Sequence, residues 1–87
     1  MDTYHYVYIL ESLADPQRHY TGLTDDLKRR LQKHNQGGVP HTSKFTPWRV
    51  RVAIAFQARE QAAVFEIYLK SHSGRAFAFV VGHIRPR

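Results

Sequence analysis

The stretch HYTGLTDDLKRRLQKH, His19 to His34, decides how this chain folds. It opens as a short strand, passes Gly22, and turns into a helix. Thr24 suits an N-cap, and Asp25 and Asp26 bring negative charge to the first turn, where the helix dipole favours it. Gly37-Gly38 ends the run, so the predicted helix covers residues 25–35. With about 100° per residue and Leu27 set at zero, Leu31 lies near 40°, His34 near −20°, Arg30 near −60° and Arg29 near 200°. The two adjacent arginines therefore point in nearly opposite directions. Arg29 joins Lys28, Gln32 and Lys33 on a solvated arc, whereas Arg30 and His34 flank the Leu27/Leu31 stripe that must face a sheet. A plain reading of that pair is a rim arginine with its apolar stem laid over the core and a half-buried histidine at a helix end.

Upstream, residues 4–10 (YHYVYIL) are aromatic or β-branched with one interruption, and both alternating faces are largely apolar, which predicts a central strand. Asp15-Pro16 marks a turn and residues 18–23 supply a second strand, so the chain opens with a β-hairpin. Downstream, residues 37–47 (GGVPHTSKFTP) form a polar loop. From Trp48, Val50, Val52, Ile54 and Phe56 alternate with Arg49, Arg51, Ala53 and Ala55, predicting a third strand with one apolar face and one small or basic face. Residues 59–70 lack Gly and Pro and carry apolar groups on several sides, as expected for a helix packed by more than one neighbour. Ser71-His72-Ser73-Gly74 breaks it, a short helix over residues 75–81 is expected next, and residues 82–87 form a basic tail. The expected architecture is a single domain over residues 1–87, of α+β class. Its small, mainly antiparallel three-stranded sheet is flanked by helices in the order β-β-α-β-α-α.

At 87 residues and 43% hydrophobic content, a second core has no sequence to form it. No cysteine is present, which excludes disulfides, thiolate metal sites and cysteine nucleophiles, and points to a cytoplasmic compartment. No apolar run approaches the ~20 residues needed to span a bilayer, and Met1-Asp2-Thr3 lacks the basic start of a signal peptide, so no membrane role is expected. The six histidines have no HxxxH spacing, so a structural zinc site has no support. Gly37-Gly38 follows a helix instead of preceding one and is no phosphate-cradling loop. The net charge of +6 favours a polyanionic partner, nucleic acid first, through counterion release.

Tyr6-Val7-Tyr8, Tyr20-Thr21-Gly22 and Arg30 four residues before His34 resemble the paired motifs and catalytic arginine of the GIY-YIG nuclease superfamily. Pro47-Trp48 and Phe65-Glu66 are similar to its small stand-alone bacterial branch and to the nuclease domain of structure-specific resolvases, and the later YLKSHSGRAFA is similar to the same small branch. The resemblance spans residues 4–79, and no single motif carries it alone. It implies a metal-dependent DNA endonuclease, with structure selectivity in DNA repair or recombination as the finer expectation. Tyr8 and Tyr20 would line the site, with Gly22 structural within it. Tyr8 would hold or deprotonate the attacking water, and Arg30 would grip the scissile phosphate with its fixed fork of donors. His34 would bind the phosphate or relay a proton. Glu66 would be the ligand of one divalent cation, Mg²⁺ or Mn²⁺, held mostly by water and substrate oxygens. Its plain reading is an i,i+4 ion pair with Lys70. No second carboxylate suited to a two-metal site stands nearby.

Outside this set, His41, Thr42, Ser43, Lys44, Arg49 and Arg51 are the expected contacts to a DNA backbone, and no base-reading element is apparent, so binding without strong sequence preference is expected. The late asparagine of many larger relatives has no counterpart after Glu66. Two other readings follow: a nucleic-acid-binding domain with weak or no nuclease activity, and an interaction module with a protein partner in a repair complex.

Overall fold

The computed structural model describes residues 3–71. Strand β1 (His5–Ser12) is central, flanked by β2 (His19–Thr24) and β3 (Trp48–Phe56) in the order β2-β1-β3, with both pairings antiparallel. Its near-continuous apolar run explains the placement, since each face of β1 carries its own core. Helix α1 (Leu27–Asn35) brings Leu27 and Leu31 onto the face of Tyr8, Leu10, Trp48 and Val50. Helix α2 (Arg59–Lys70) brings Ala62, Phe65 and Leu69 onto the opposite face, against Val7, Ile9, Val52 and Phe56. The α+β, three-stranded antiparallel architecture expected from the sequence is present. The expected last helix over 75–81 and the basic tail over 82–87 lie outside the described residues.

Two local expectations are corrected. The N-cap of α1 is Asp26, not Thr24: the Asp26 carboxylate accepts from Arg29 N at 3.1 Å, while Thr24 Oγ1 accepts from Asp26 N at 3.1 Å and shapes the turn before the helix. The alternation in β3 is also broken. Ile9 pairs with Val52 but Leu10 pairs with Val50, so Arg51 is an extra residue in a bulge. The bulge sends Val50 to the α1 side and Val52 to the α2 side, instead of leaving both on one apolar face.

Among the described residues, helix α2 is packed on one side only. Ala62 and Leu69 are buried against the sheet, but Val64 and Ile67 are exposed, Ile67 at 69%. The helix thus behaves as one layer laid on the sheet.

The hairpin turn and the long loop are tied to each other. Ser12 Oγ accepts from Ala14 N and Asp15 N, at 3.1 and 3.0 Å, and donates to Phe45 O at 2.6 Å. Asn35 clamps the start of β3, its amide donating to Trp48 O at 3.1 Å and its Oδ1 accepting from Trp48 N at 2.6 Å. A 3₁₀ turn (Ser43–Phe45) completes the loop, and the Thr46–Pro47 peptide is cis. These bonds fix residues 37–47 against the C-terminal end of α1.

Candidate active site

Alternation along β1 turns Tyr8 toward α1, and antiparallel pairing sets it opposite Gly22. The Tyr8 ring lies over that glycine so closely that a Cβ there would fall 2.9 Å from Tyr8 Cε1, and nearer still to the phenol oxygen. Gly22 is therefore required for space. Its lack of a side chain lets the phenol lie flat along β2 and reach the helix.

At the far end of that phenol stand the two residues that the helical wheel placed beside the core. His34 Nε2 is 3.0 Å from Tyr8 Oη, and Arg30 Nε donates to the same oxygen at 3.3 Å. Tyr20 closes the group, its ring centroid 6.4 Å from that of Tyr8 and 4.9 Å from that of His34. Arg29 is exposed, as the wheel requires. The structure thus brings Tyr8, Tyr20, Gly22, Arg30 and His34 into one cluster at the junction of β1, β2 and α1.

Burial sets the electrostatics. Desolvation pushes the Tyr8 phenol up, more strongly than the Arg30 hydrogen bond and charge pull it down, so the phenol is neutral at neutral pH. The Glu66 charge, on α2, adds a smaller contribution to that rise. The bond to Tyr8 raises the pKa of Arg30, with Tyr20 contributing, so the guanidinium stays charged. His34 is 0% exposed, and burial, then the charges of Arg30 and Lys33, lower its pKa to about 4. It is a neutral imidazole at pH 7.

A stability consequence follows from that histidine. In the unfolded chain its pKa returns to about 6.5, so between pH 6.5 and 4 the unfolded state binds the extra proton and the native state does not. Stability is therefore lost as pH falls through this window, by up to about 1.4 kcal/mol per pH unit, and levels off below it. Denaturant titrations at pH 7, 6 and 5 should show this extra slope in the wild type and not in His34→Gln. Parallel slopes in the two proteins would contradict a neutral buried His34.

Glu66 is partly buried and pairs with Lys70, Oε2 to Nζ 3.1 Å, the ion pair its spacing predicts. Lys70 is more than half exposed, so the pair is weak and easily exchanged for another cation. Among the described residues no three His, Cys, Asp or Glu side chains gather. A lone carboxylate of this kind fits a Mg²⁺-type ion, which keeps most of its waters and takes further oxygens from a phosphate substrate.

The expected backbone-binding residues divide. His41, Ser43 and Lys44 are exposed on the loop. Thr42 is not available there: it is 1% exposed, and its hydroxyl lies 2.8 Å from His34 Nδ1. Arg49 and Arg51 converge on Glu11 at 2.7 and 3.4 Å, and Glu11 shares the β1 face of Val7 and Ile9. The arrangement does not bring these arginines to the Tyr8 cluster. Sequence reasoning missed the inward role of Thr42. The only available hint was a hydroxyl between Val39 and the breaker-rich end of the loop, a few residues beyond a helix-end histidine.

Comparison with known proteins places this small α+β domain among catalytic domains of the nuclease type. The chain belongs to the GIY-YIG family: the model of the GIY-YIG catalytic domain matches residues 4–78. A UPF0213 protein of Haloquadratum walsbyi is 38% identical over 74 residues, covering 84% of this chain and 81% of that protein. The structure-specific endonuclease subunit SLX1 of Candida dubliniensis is 43% identical over 67 residues, covering 69% of this chain but 23% of that longer protein. The solution structure of a UPF0213 protein from Bacillus halodurans superimposes with a TM-score of 0.53 at 34% identity, covering 90% of this chain and 84% of that one.

Proposed function

We propose that this domain is a metal-dependent DNA endonuclease that uses Tyr8, Tyr20, Arg30, His34 and Glu66 to hydrolyse phosphodiester bonds. The observation that carries the proposal is the contact of one buried phenol with both a neutral imidazole and a guanidinium. A phosphate beside Arg30 would have its growing charge offset by the guanidinium. The Tyr8 oxygen takes a proton from the attacking water as its own proton passes to His34 Nε2. A new P–O bond forms to the water oxygen, the bond to the 3′-oxygen breaks, and that oxygen takes a proton from solvent. A divalent cation at Glu66, Mg²⁺ or Mn²⁺, would supply positive charge for the departing oxygen.

Burial first, and then the charges of Arg30 and Lys33, make His34 a weak base. A bound phosphate offsets the charge of Arg30 and so raises the basicity of His34 when substrate is present. The relay is thereby strengthened by the DNA that needs it. The net charge of +6 and the exposed Lys44 support binding to DNA through its backbone, without strong sequence preference. The name of the Candida relative, a structure-specific endonuclease subunit, supports selectivity for the structure of the DNA and work beside a partner subunit.

The test is incubation with single-stranded, duplex, flap and branched DNA in Mg²⁺ or Mn²⁺. Nicking should stop with EDTA and fall by about 10²-fold or more in Glu66→Ala, since cation charge at a leaving oxygen is worth several kcal/mol. Lys70→Ala should leave it intact. Wild-type protein that binds these DNAs and cuts none would leave a binding domain as the reading.

A further inference from the structure

Both ring nitrogens of His34 are occupied within the fold: Nε2 faces Tyr8 Oη at 3.0 Å, and Nδ1 faces Thr42 Oγ1 at 2.8 Å. The direction of these bonds follows from proton counting. Thr42 has one hydroxyl proton, and its oxygen also lies 3.2 Å from Val39 O, a carbonyl that can only accept. The proton goes to that carbonyl, a Thr42 lone pair faces the ring, and Nδ1 carries the ring hydrogen. Nε2 is then a bare acceptor, Tyr8 donates to it, and Arg30 Nε–H fills a lone pair on the Tyr8 oxygen. Every donor has one acceptor. In the opposite tautomer, Thr42 would turn from Val39, and the Tyr8 oxygen would receive from both Arg30 and His34. Its own proton would then have no acceptor among the described contacts.

The fold holds Thr42 for this purpose. It occupies the N-cap position of the 3₁₀ turn, yet its side chain makes no cap bond there. Trp48 Nε1 donates to Thr42 O at 2.9 Å, and Thr42 N donates to Val39 O at 3.0 Å, so the main chain is held on both sides of the hydroxyl. The indole that does so is set in turn by the Asn35 clamp at the end of α1, one residue from His34. A loop whose His41, Ser43 and Lys44 are exposed thus delivers one oxygen to the back of the imidazole.

We propose that Thr42 is a positioning residue that fixes His34 as the Nδ1–H tautomer and so presents the Nε2 lone pair to Tyr8. Its catalytic consequence rests on the nuclease reading above, but the tautomer itself does not. The full chain, labelled with ¹⁵N-histidine, reports the tautomer directly through ring ¹⁵N–¹H correlations at neutral pH, with His34→Gln identifying the signals among the six histidines. Wild type and Thr42→Ser should show His34 protonated at Nδ1 and bare at Nε2. Thr42→Val, which keeps the shape and removes the hydroxyl, should shift the population toward Nε2–H. In single-turnover cleavage it should be slower by ~10–100-fold, the usual cost of removing such a supporting bond, with DNA affinity unchanged. Thr42→Ser should restore the rate to within about threefold, as a retained hydroxyl requires.

A wild-type His34 protonated at Nε2 overturns the proposal whether or not the protein cuts DNA. So does a Thr42→Val protein that keeps the wild-type ring signals. If Thr42→Val does not fold, the wild-type and Thr42→Ser spectra decide the matter. If no DNA is cut by wild type while the spectra behave as expected, the nuclease reading falls and the tautomer assignment stands.

Discussion

Arg30→Ala should lower the single-turnover cleavage rate by about 10²–10³-fold, the loss seen when one preorganised donor is removed from a developing oxyanion. Arg30 stands beside the core through the spacing of α1, and its Nε is anchored on Tyr8 at 3.3 Å. The guanidinium is therefore preorganised before DNA arrives, so its interaction with the phosphate needs little reorganisation. Removing it also takes from His34 one of the two charges that keep its pKa low. The variant should have a more basic His34 and still be slow, because loss of the phosphate clamp outweighs a better proton acceptor. Arg30→Lys should recover only part of the rate, since a point charge cannot both hold Tyr8 and present a fork. The neighbouring Arg29→Ala, on the exposed side of the same helix, is the control and should cut at the wild-type rate. Equal losses in Arg29→Ala and Arg30→Ala would reduce both arginines to general contributors of positive charge.

The contrast between those two arginines is what the sequence made legible. Helical spacing needs only the positions of Leu27 and Leu31, and it placed Arg30 and His34 beside the core and Arg29 away from it. The central position of β1 was also readable, because apolar residues on both faces cannot sit at a solvated edge. Other features depend on contacts that no periodicity encodes. The bulge at Arg51 changes which side Val50 and Val52 face, but both residues are apolar and equally acceptable to either core. The capture of Arg49 and Arg51 by Glu11 joins residues 38 and 40 positions apart. Thr42 looked like loop polarity because its partner is on a helix, across a turn whose path depends on Trp48 and Asn35. In each case local pattern fixed the element, and tertiary contact fixed the job of the side chain.

Tyr8→Phe isolates the chemistry from the packing. The phenylalanine keeps the ring over Gly22 and against Leu10, Trp48 and Tyr20, so the core loses no apolar contact. What disappears is one oxygen, and with it the bonds to His34 Nε2 and Arg30 Nε. The fold should lose about 1–3 kcal/mol, because buried His34 Nε2 is left without its hydrogen-bond partner. A denaturant midpoint that moves by that amount with an unchanged slope is the expected signature. Cleavage should fall by about 10²–10⁴-fold, the range for removing a positioned proton-transfer group. DNA binding measured without divalent cation should hold, since Arg30 and the surface charge remain. Tyr20→Phe should lose less, because its ring stays against His34 and what it gives up is a support of Arg30 that ranks behind the Tyr8 bond. If Tyr8→Phe cuts within about threefold of wild type, far short of that range, the water must give its proton to something else. His34 would then be a support for the tyrosine ring, and the cluster would act on the phosphate through Arg30 alone.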